Sequence, residues 1–262
     1  FMKRLDQISL KQLRALSMVA EKGTISAAAD CLGLTGPAIH SQLKSLEESI
    51  GSALITRQGR ARNTATAQGA VLLVAYERMR ATLEHAITTI NALDHGKSGA
   101  LVLGVVSTAK YFAPKIVAMC HRDLPDIEIS LRVGNRHETI AALNKGSFDL
   151  CIMGRPPRTP TADAIALGDH PHVIIAAADH PLARLDHVPR AALLKERFVM
   201  REQGSGTRIL AARFLDEIGH GHEASIVEMV SNETIKQAVI SGLGLAMISA
   251  HTVAEEVRSG RL

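Results

Sequence analysis

No stretch of this 262-residue chain is apolar for long enough to cross a membrane. Its longer apolar runs are of the size of Ala-Val-Leu-Leu-Val-Ala-Tyr at 70–76, far short of the ~20 residues a span needs. The first residues are charged and lead into no apolar signal core, so no secretion signal is read and a reducing cytoplasm is expected. Cysteine is scarce as well. Cys31, Cys120 and Cys151 are far apart and odd in number, which argues against a disulfide framework. Metal and cofactor chemistry find little support. His170-x-His172 and His220-x-His222 have no cysteine or carboxylate spacing to complete a site, and Cys120-His121 has no third partner. Gly204-Ser205-Gly206-Thr207-Arg208 lacks the strand, lysine and helix of a nucleotide-hydrolysing loop. The chain is not expected to be an enzyme, and no metal or cofactor is implied.

What is present is an uneven distribution of charge. Residues 1–66 hold nine Lys/Arg against five Asp/Glu, which accounts for the whole net charge of +4, while 67–99 and 100–262 are each balanced. A small basic head on a neutral body points to an anionic partner, double-stranded DNA first.

The head reads as helical. Ser9 and Gln12 make a capping box for a helix over about 10–22, with Leu10, Leu13, Leu16 and Ala20 inward and Gly23 as its stop. Thr24 caps a short alanine-rich helix that Gly33 ends, and Thr35 caps a third, with Pro37 early. In that third helix Ile39, Leu43, Leu46 and Ile50 form one buried stripe. The opposite face, Gly36, Pro37, His40, Ser41 and Lys44, is bare at its start. Two helices joined by a tight glycine turn make a helix-turn-helix, and the bare face suits a major groove. His40 and Ser41 are placed to reach base edges, Lys44 a phosphate. Arg57, Arg60 and Arg62 flank Gly59 at a hairpin turn, a wing for phosphates.

Residues 67–94 contain one Gly and no Pro. Leu72, Tyr76, Met79, Leu83, Ala86, Ile90 and Leu93 fill every a/d heptad position, so a helix of ~40 Å with one narrow apolar seam is expected, suited to dimerisation. After a hinge at 94–100 the chain alternates strand and helix. Strands are expected at 100–106, 127–133, 148–153, 172–178, 197–200, 224–230 and 244–249, with parallel sheets. The three prolines of 154–160 mark a crossing into a second α/β unit.

In such folds ligands bind beyond the carboxyl ends of strands, near helix N-termini. Ser107, Thr108 and Lys110 follow the first strand, Asn135 and Arg136 the second, Arg155 the third. Arg201, Ser205 and Thr207 follow a strand of the second unit. Together they are the candidate site for a small anionic ligand. The plainer alternative pairs Arg136 with Glu138 and Arg201 with Glu202.

The order of motifs in the head, Ala28-Ala29 and Leu32, Thr35-Gly36-Pro37-Ala38, Leu46-Glu47 and Ile50-Gly51, resembles the N-terminal domain of LysR-type transcriptional regulators. Gly36 stands where many members carry Gln, and Ile55 where Phe is usual. The stretches STAKYFAP, VGNR, DLCIMGRPP and REQGSGTR resemble the CbbR-type branch, regulators of Calvin-cycle (rubisco) operons. The resemblance implies an α/β chain in four parts. A winged helix-turn-helix (1–66) and a dimerisation linker helix (67–96) precede two halves of a periplasmic-binding-protein-like effector domain (97–158 and 159–262). It also implies a homodimer or dimer-of-dimers tetramer, phosphorylated or nucleotide effectors, and promoter DNA with RNA polymerase as partners. The family continues beyond the point matching Leu262, with strands and a helix that return to the first half, so a C-terminal truncation is expected. The competing readings are a LysR-type regulator of another operon and, from a different class, a cytoplasmic solute-binding protein, which would need neither the basic head nor the linker.

Overall fold

The computed structural model describes residues 6–56, 62–219 and 225–262, and its chain divides into two compact units, Phe1–His85 and Ala86–Leu262. In the first unit helices α1 (Leu10–Lys22), α2 (Ile25–Leu32) and α3 (Gly36–Ile50) begin and end where their caps dictate. Ser9 and Gln12 close a reciprocal capping box, Thr24 accepts from the Ala27 N–H, and Thr35 accepts from the Ala38 N–H. Gly23, Gly33 and Gly51 take the left-handed conformation that ends each helix. The three helices share one core of Leu13, Leu16, Val19, Ala28, Ile39, Leu43 and Leu46. Leu10, expected inward, is 48% exposed. It is the first residue of α1, and at the other end of the helix Val19 is fully buried while Ala20 is half-buried.

Strands β1 (Ile55–Thr56) and β2 (Thr64–Ala65) pair antiparallel, so a hairpin follows α3. Helix α4 (Ala67–Asp94) continues from it and crosses from the first unit into the second. Its single glycine has a steric reason. A Cβ at Gly69 would lie 2.1 Å from the Leu54 carbonyl oxygen, so the helix packs its backbone directly on that turn.

In the second unit, β3 (Gly99–Val106), β4 (Ile127–Gly134) and β5 (Leu150–Ile152) form a parallel sheet in the order β4-β3-β5. Helix α5 (Ala113–Asp123) connects β3 to β4, and α6 (Arg136–Lys145) connects β4 to β5. A helix directly after β3 was expected. Instead a single 3-10 turn, Ala109–Tyr111, precedes α5, because Pro114 has no N–H to donate and so sits in the first turn of α5.

The second half holds β6 (His172–Ile175), the short helix α7 (Arg190–Leu193), β7 (Arg197–Arg201), α8 (Gly206–Gly219), β8 (Ser225–Met229), α9 (Asn232–Ile240), β9 (Ala246–Ser249) and α10 (Ala254–Arg258). Strands β7 and β8 are parallel, and backbone hydrogen bonds join Leu245 to Arg197 and Val199 on the other side of β7. The expectation of parallel sheets throughout fails at β6, which pairs antiparallel with β9. Its partner lies far along the chain, with Val173 opposite Ile248, so the direction of this pair is set by how the intervening segment folds back and not by the local alternation of strand and helix. Phe198, Ile235, Val239, Leu245 and Ile248 are fully buried in the two clusters around this sheet. Among the described residues no helix is long and apolar enough to cross a membrane.

Candidate functional site

The head offers an exposed helix face. Pro37, His40, Ser41 and Lys44 of α3 are exposed, with Thr35 exposed at its cap and Gly36 half-exposed, while Ile39, Leu43 and Leu46 hold the reverse side in the core. Among the described residues Lys44 makes only a loose i,i+4 pair with Glu48 at 3.8 Å, which an anion in water displaces readily. The position of α3 is fixed by two contacts that no periodicity announced. Gln12 on α1 donates from Nε2 to Ser45 Oγ at 3.1 Å. Glu47 Oε1 accepts from the backbone N–H groups of Leu54 and Ile55 at 2.8 and 3.4 Å, so the carboxylate ties the recognition helix to the start of the wing.

In the wing, Arg57 and Arg60 lie outside the described residues. Arg62 departs from its expected role. Its Nη2 donates to the Glu21 carbonyl at 2.6 Å and its stem covers Gly23, so it serves the C-terminal end of α1, where carbonyls attract cations.

The a/d row of α4 splits in two. Tyr76 is 7% exposed in the core of the head, and Leu72 packs against the same core. Those two are taken up by the head's own core, where Leu73 packs beside them. Met79, Leu83, Ala86, Ile90 and Leu93 are exposed, and Ile87 joins them as an exposed apolar residue beside the row.

The residues expected to take an anion come from both halves of the second unit, and part of the set converges. Arg201, at the end of β7, is 3% exposed. Its Nε and Nη2 donate to Glu202 Oε2 and Oε1 at 2.7 and 2.9 Å. Its Nη1 donates to Ser107 Oγ at 2.9 Å and to Asn232 Oδ1 at 2.5 Å. Asn232 in turn donates from Nδ2 to the Ser107 carbonyl at 3.3 Å. Lys110 pairs with Glu233 at 2.6 Å, and the Tyr111 hydroxyl donates to the other oxygen of that carboxylate. Asn135 reaches Glu202 from Nδ2 at 3.4 Å, and the His137 N–H donates to the Gly204 carbonyl at 3.0 Å. The halves are therefore joined by hydrogen bonds from the 107–111 turn and the start of α6 to the ends of β7 and α9.

Burial pushes the Glu233 carboxyl up, but the hydrogen bonds from Lys110 and Tyr111 outweigh it and hold the group down to about 2. Glu202 is also held below the ordinary range, its burial outweighed by Arg201. Burial, with Glu233 beside it, raises the Tyr111 hydroxyl.

The other expected residues stand differently. Thr108 is buried, and its hydroxyl makes no cap to the 3-10 turn. Ser107 and Thr108 therefore lie ahead of a three-residue turn and not at a helix N-terminus, as the sequence had suggested. Arg136 does not pair with Glu138, which instead closes a capping box with Asn135. Its Nη1 donates to the Arg155 carbonyl at 2.6 Å, and the Arg155 side chain is exposed. Ser205 and Thr207 are buried at the N-terminal end of α8, and Arg136 passes 3.4 Å from where a Cβ on Gly206 would be. The alternative that pairs Arg201 with its neighbour Glu202 is the one formed, while Asn232, Glu233 and Tyr111 carry no signal in the sequence that joins them to these cations. His170 and His172 pack edge to face at 4.6 Å, and burial lowers both imidazoles, with the charge of His251 adding at each and that of His172 at His170. Among the described residues no group of three or more His, Cys, Asp or Glu side chains is arranged to hold a metal ion, and His220 and His222 lie outside those residues.

Two family models match the chain, one described as a bacterial regulatory helix-turn-helix protein, lysR family, over residues 10–70, the other as a LysR substrate binding domain over 94–262. The chain is 48% identical over 262 residues to the HTH-type transcriptional regulator CbbR of Cereibacter sphaeroides, covering 100% of this chain and 84% of that one. It is 38% identical to the RuBisCO operon transcriptional regulator of Allochromatium vinosum, covering 97% and 84%. Among solved structures, the regulatory domain of Synechocystis PCC6803 CcmR in complex with 2-PG is similar at 37% identity and a TM-score of 0.54, over 59% of this chain and 74% of that one.

Proposed function

From the premise that this chain belongs to the LysR family of bacterial transcriptional regulators, in the CbbR group, we propose that it controls carbon-fixation (Calvin-cycle) genes in answer to an anionic metabolite. The division of labour follows the chain: a winged helix-turn-helix over 1–66, a linker helix over 67–96, and effector halves over 97–158 and 159–262. The head reads promoter DNA through His40 and Ser41, with Lys44, Arg57 and Arg60 on phosphates. The row Met79, Leu83, Ala86, Ile90 and Leu93 pairs with a second copy, as a homodimer or tetramer that acts on RNA polymerase at the promoter.

The observation that carries the effector reading is that Ser107 and the buried Arg201 bond directly across the two halves, with Asn135 on the Glu202 that Arg201 holds and Lys110 on Glu233, next to the Asn232 that Arg201 holds. Arg136, beside the buried hydroxyls of Ser205 and Thr207 at the start of α8, supplies a second cation with no carboxylate within ion-pairing distance among the described residues. Such equipment fits a phosphate or carboxylate. The CcmR complex with 2-PG supports the same class of ligand. Binding across the two halves favours one arrangement of them and so biases the whole molecule. Calorimetry of the full chain with a panel of phosphorylated hydroxy acids, sugar phosphates and neutral sugars tests this. Binding of phosphorylated members alone is expected; binding of neutral or cationic members alone would overturn the anion reading.

A further inference from the structure

Arg201 already holds an anion. A guanidinium has five N–H donors, and hydrogen bonds to Glu202, Ser107 and Asn232 engage four of them. The group is 3% exposed and one N–H is left over, so a ligand that takes two donors of the fork in one plane does so only by replacing one of those three partners. Ser107 and Asn232 are neutral and are bonded to each other as well. Glu202 is the one partner whose chemistry a ligand anion reproduces: two oxygens in the plane of the guanidinium fork. Its side chain is 16% exposed, on a loop that leads to Gly204.

We propose that Glu202 is a tethered competitor for the ligand anion at Arg201, and that this competition makes the cleft select phosphate-bearing ligands over simple carboxylates. The inference rests on the effector reading above. A buried guanidinium left without a countercharge is strongly unfavourable, so a neutral ligand cannot take the place of Glu202. A monocarboxylate can, but it exchanges like for like against a carboxylate held at an effective concentration of at least the millimolar order. A phosphate monoester has a second negative charge and a third oxygen, and so gains where the carboxylate only breaks even. Displacing Glu202 also removes its contact with Asn135, one of the bonds that join the two halves. Ligand entry thus exchanges a contact within the protein for one to the ligand.

The test uses the full chain and calorimetry with 2-phosphoglycolate, glycolate and inorganic phosphate. Unmodified chain is expected to prefer 2-phosphoglycolate to glycolate by at least about a hundredfold, and Glu202→Gln to bind glycolate about tenfold tighter, so that the preference narrows. Glu202→Asp, which keeps the charge, should leave the preference within about threefold of the original. A preference unchanged in Glu202→Gln would overturn the competitor while leaving the anion site standing. If the unmodified chain binds none of the three, the effector reading falls and takes this inference with it.

A measurement on the unmodified chain decides the matter even where Glu202→Gln does not fold. The carboxyl 13C resonance of Glu202 should titrate below 4.5 without ligand and move up toward that ordinary value when 2-phosphoglycolate saturates the site. A resonance that stays depressed at saturation means that Glu202 has not left Arg201, and the proposal is wrong.

Discussion

Glu47 shows how one side chain links two elements. Its carboxylate accepts from the N–H groups of Leu54 and Ile55, which would otherwise lie part-buried without a partner. Glu47→Ala is therefore expected to cost the head about 1–3 kcal/mol, read as a lower urea midpoint, because the loss strands backbone donors. Glu233 makes a prediction about pH. Its folded pKa, about 2, lies below its ordinary 4.5, so the stability it contributes is present above 4.5 and fades as pH falls from there toward 2. The group is about half exposed, so the effect is screened. Thermal unfolding between pH 5 and 2 should fall more steeply in the unmodified chain than in Glu233→Gln; parallel curves would contradict the pairing with Lys110 and Tyr111. Glu47 stood in the sequence as part of the Leu46-Glu47 motif and Glu233 not at all, and neither showed its partner. A carboxylate's partner is set by how the chain folds back, over 7 residues for Glu47 and Leu54 and over 123 for Lys110 and Glu233.

At the scale of elements, helices were the most legible part. Ser9, Thr24, Thr35 and the glycines at 23, 33 and 51 act locally, through neighbours within four residues, so the sequence displays both the cap and its effect. Sheet direction was less legible, and β6 ran against expectation because strand pairing is a long-range choice. The heptad row on α4 misled in another way. Leu72 and Tyr76 share the period of Leu83 and Ile90, but the period does not say which partner covers which turn. The two halves of the row thus predict opposite phenotypes. Tyr76→Ala should destabilise the head by about 3 kcal/mol through the cavity it leaves. Leu83→Asp should leave the head folded and abolish self-association, because pairing would bury the charge. Sedimentation of an intact dimer for Leu83→Asp would remove the seam. On α3, His40→Ala or Ser41→Ala should change which DNA sites are preferred, by about 1–3 kcal/mol per lost base contact. Lys44→Ala should weaken all sequences alike and lower the salt slope by about one. Binding to a panel of DNA sequences at several salt concentrations separates the two; an unchanged preference in His40→Ala would show that it is not a reader.

For the whole molecule, the candidate site was half legible. Ser107, Lys110, Asn135 and Arg201 follow strand ends in the sequence, and strand ends of an α/β fold come together by topology alone. Whether the cations there are vacant was only partly legible: Glu202 adjoins Arg201 in the sequence, but Asn232 reaches Arg201 across 31 residues and Glu233 reaches Lys110 across 123. The regulator reading requires more than two binding activities on one chain. It requires that they be coupled, and a coupling free energy of about 1–3 kcal/mol suffices for a response of roughly 5- to 150-fold. Coupling between equilibria is reciprocal, which provides a check internal to the molecule. The most direct measurement is fluorescence anisotropy of labelled promoter DNA with the full chain, at increasing concentrations of the phosphorylated metabolite that calorimetry selects. Calorimetry of that metabolite is then repeated on the DNA-bound protein. The account predicts a several-fold change in DNA affinity, and the same factor, in the same direction, in metabolite affinity when DNA is present. DNA affinity that is identical with and without saturating metabolite would contradict it.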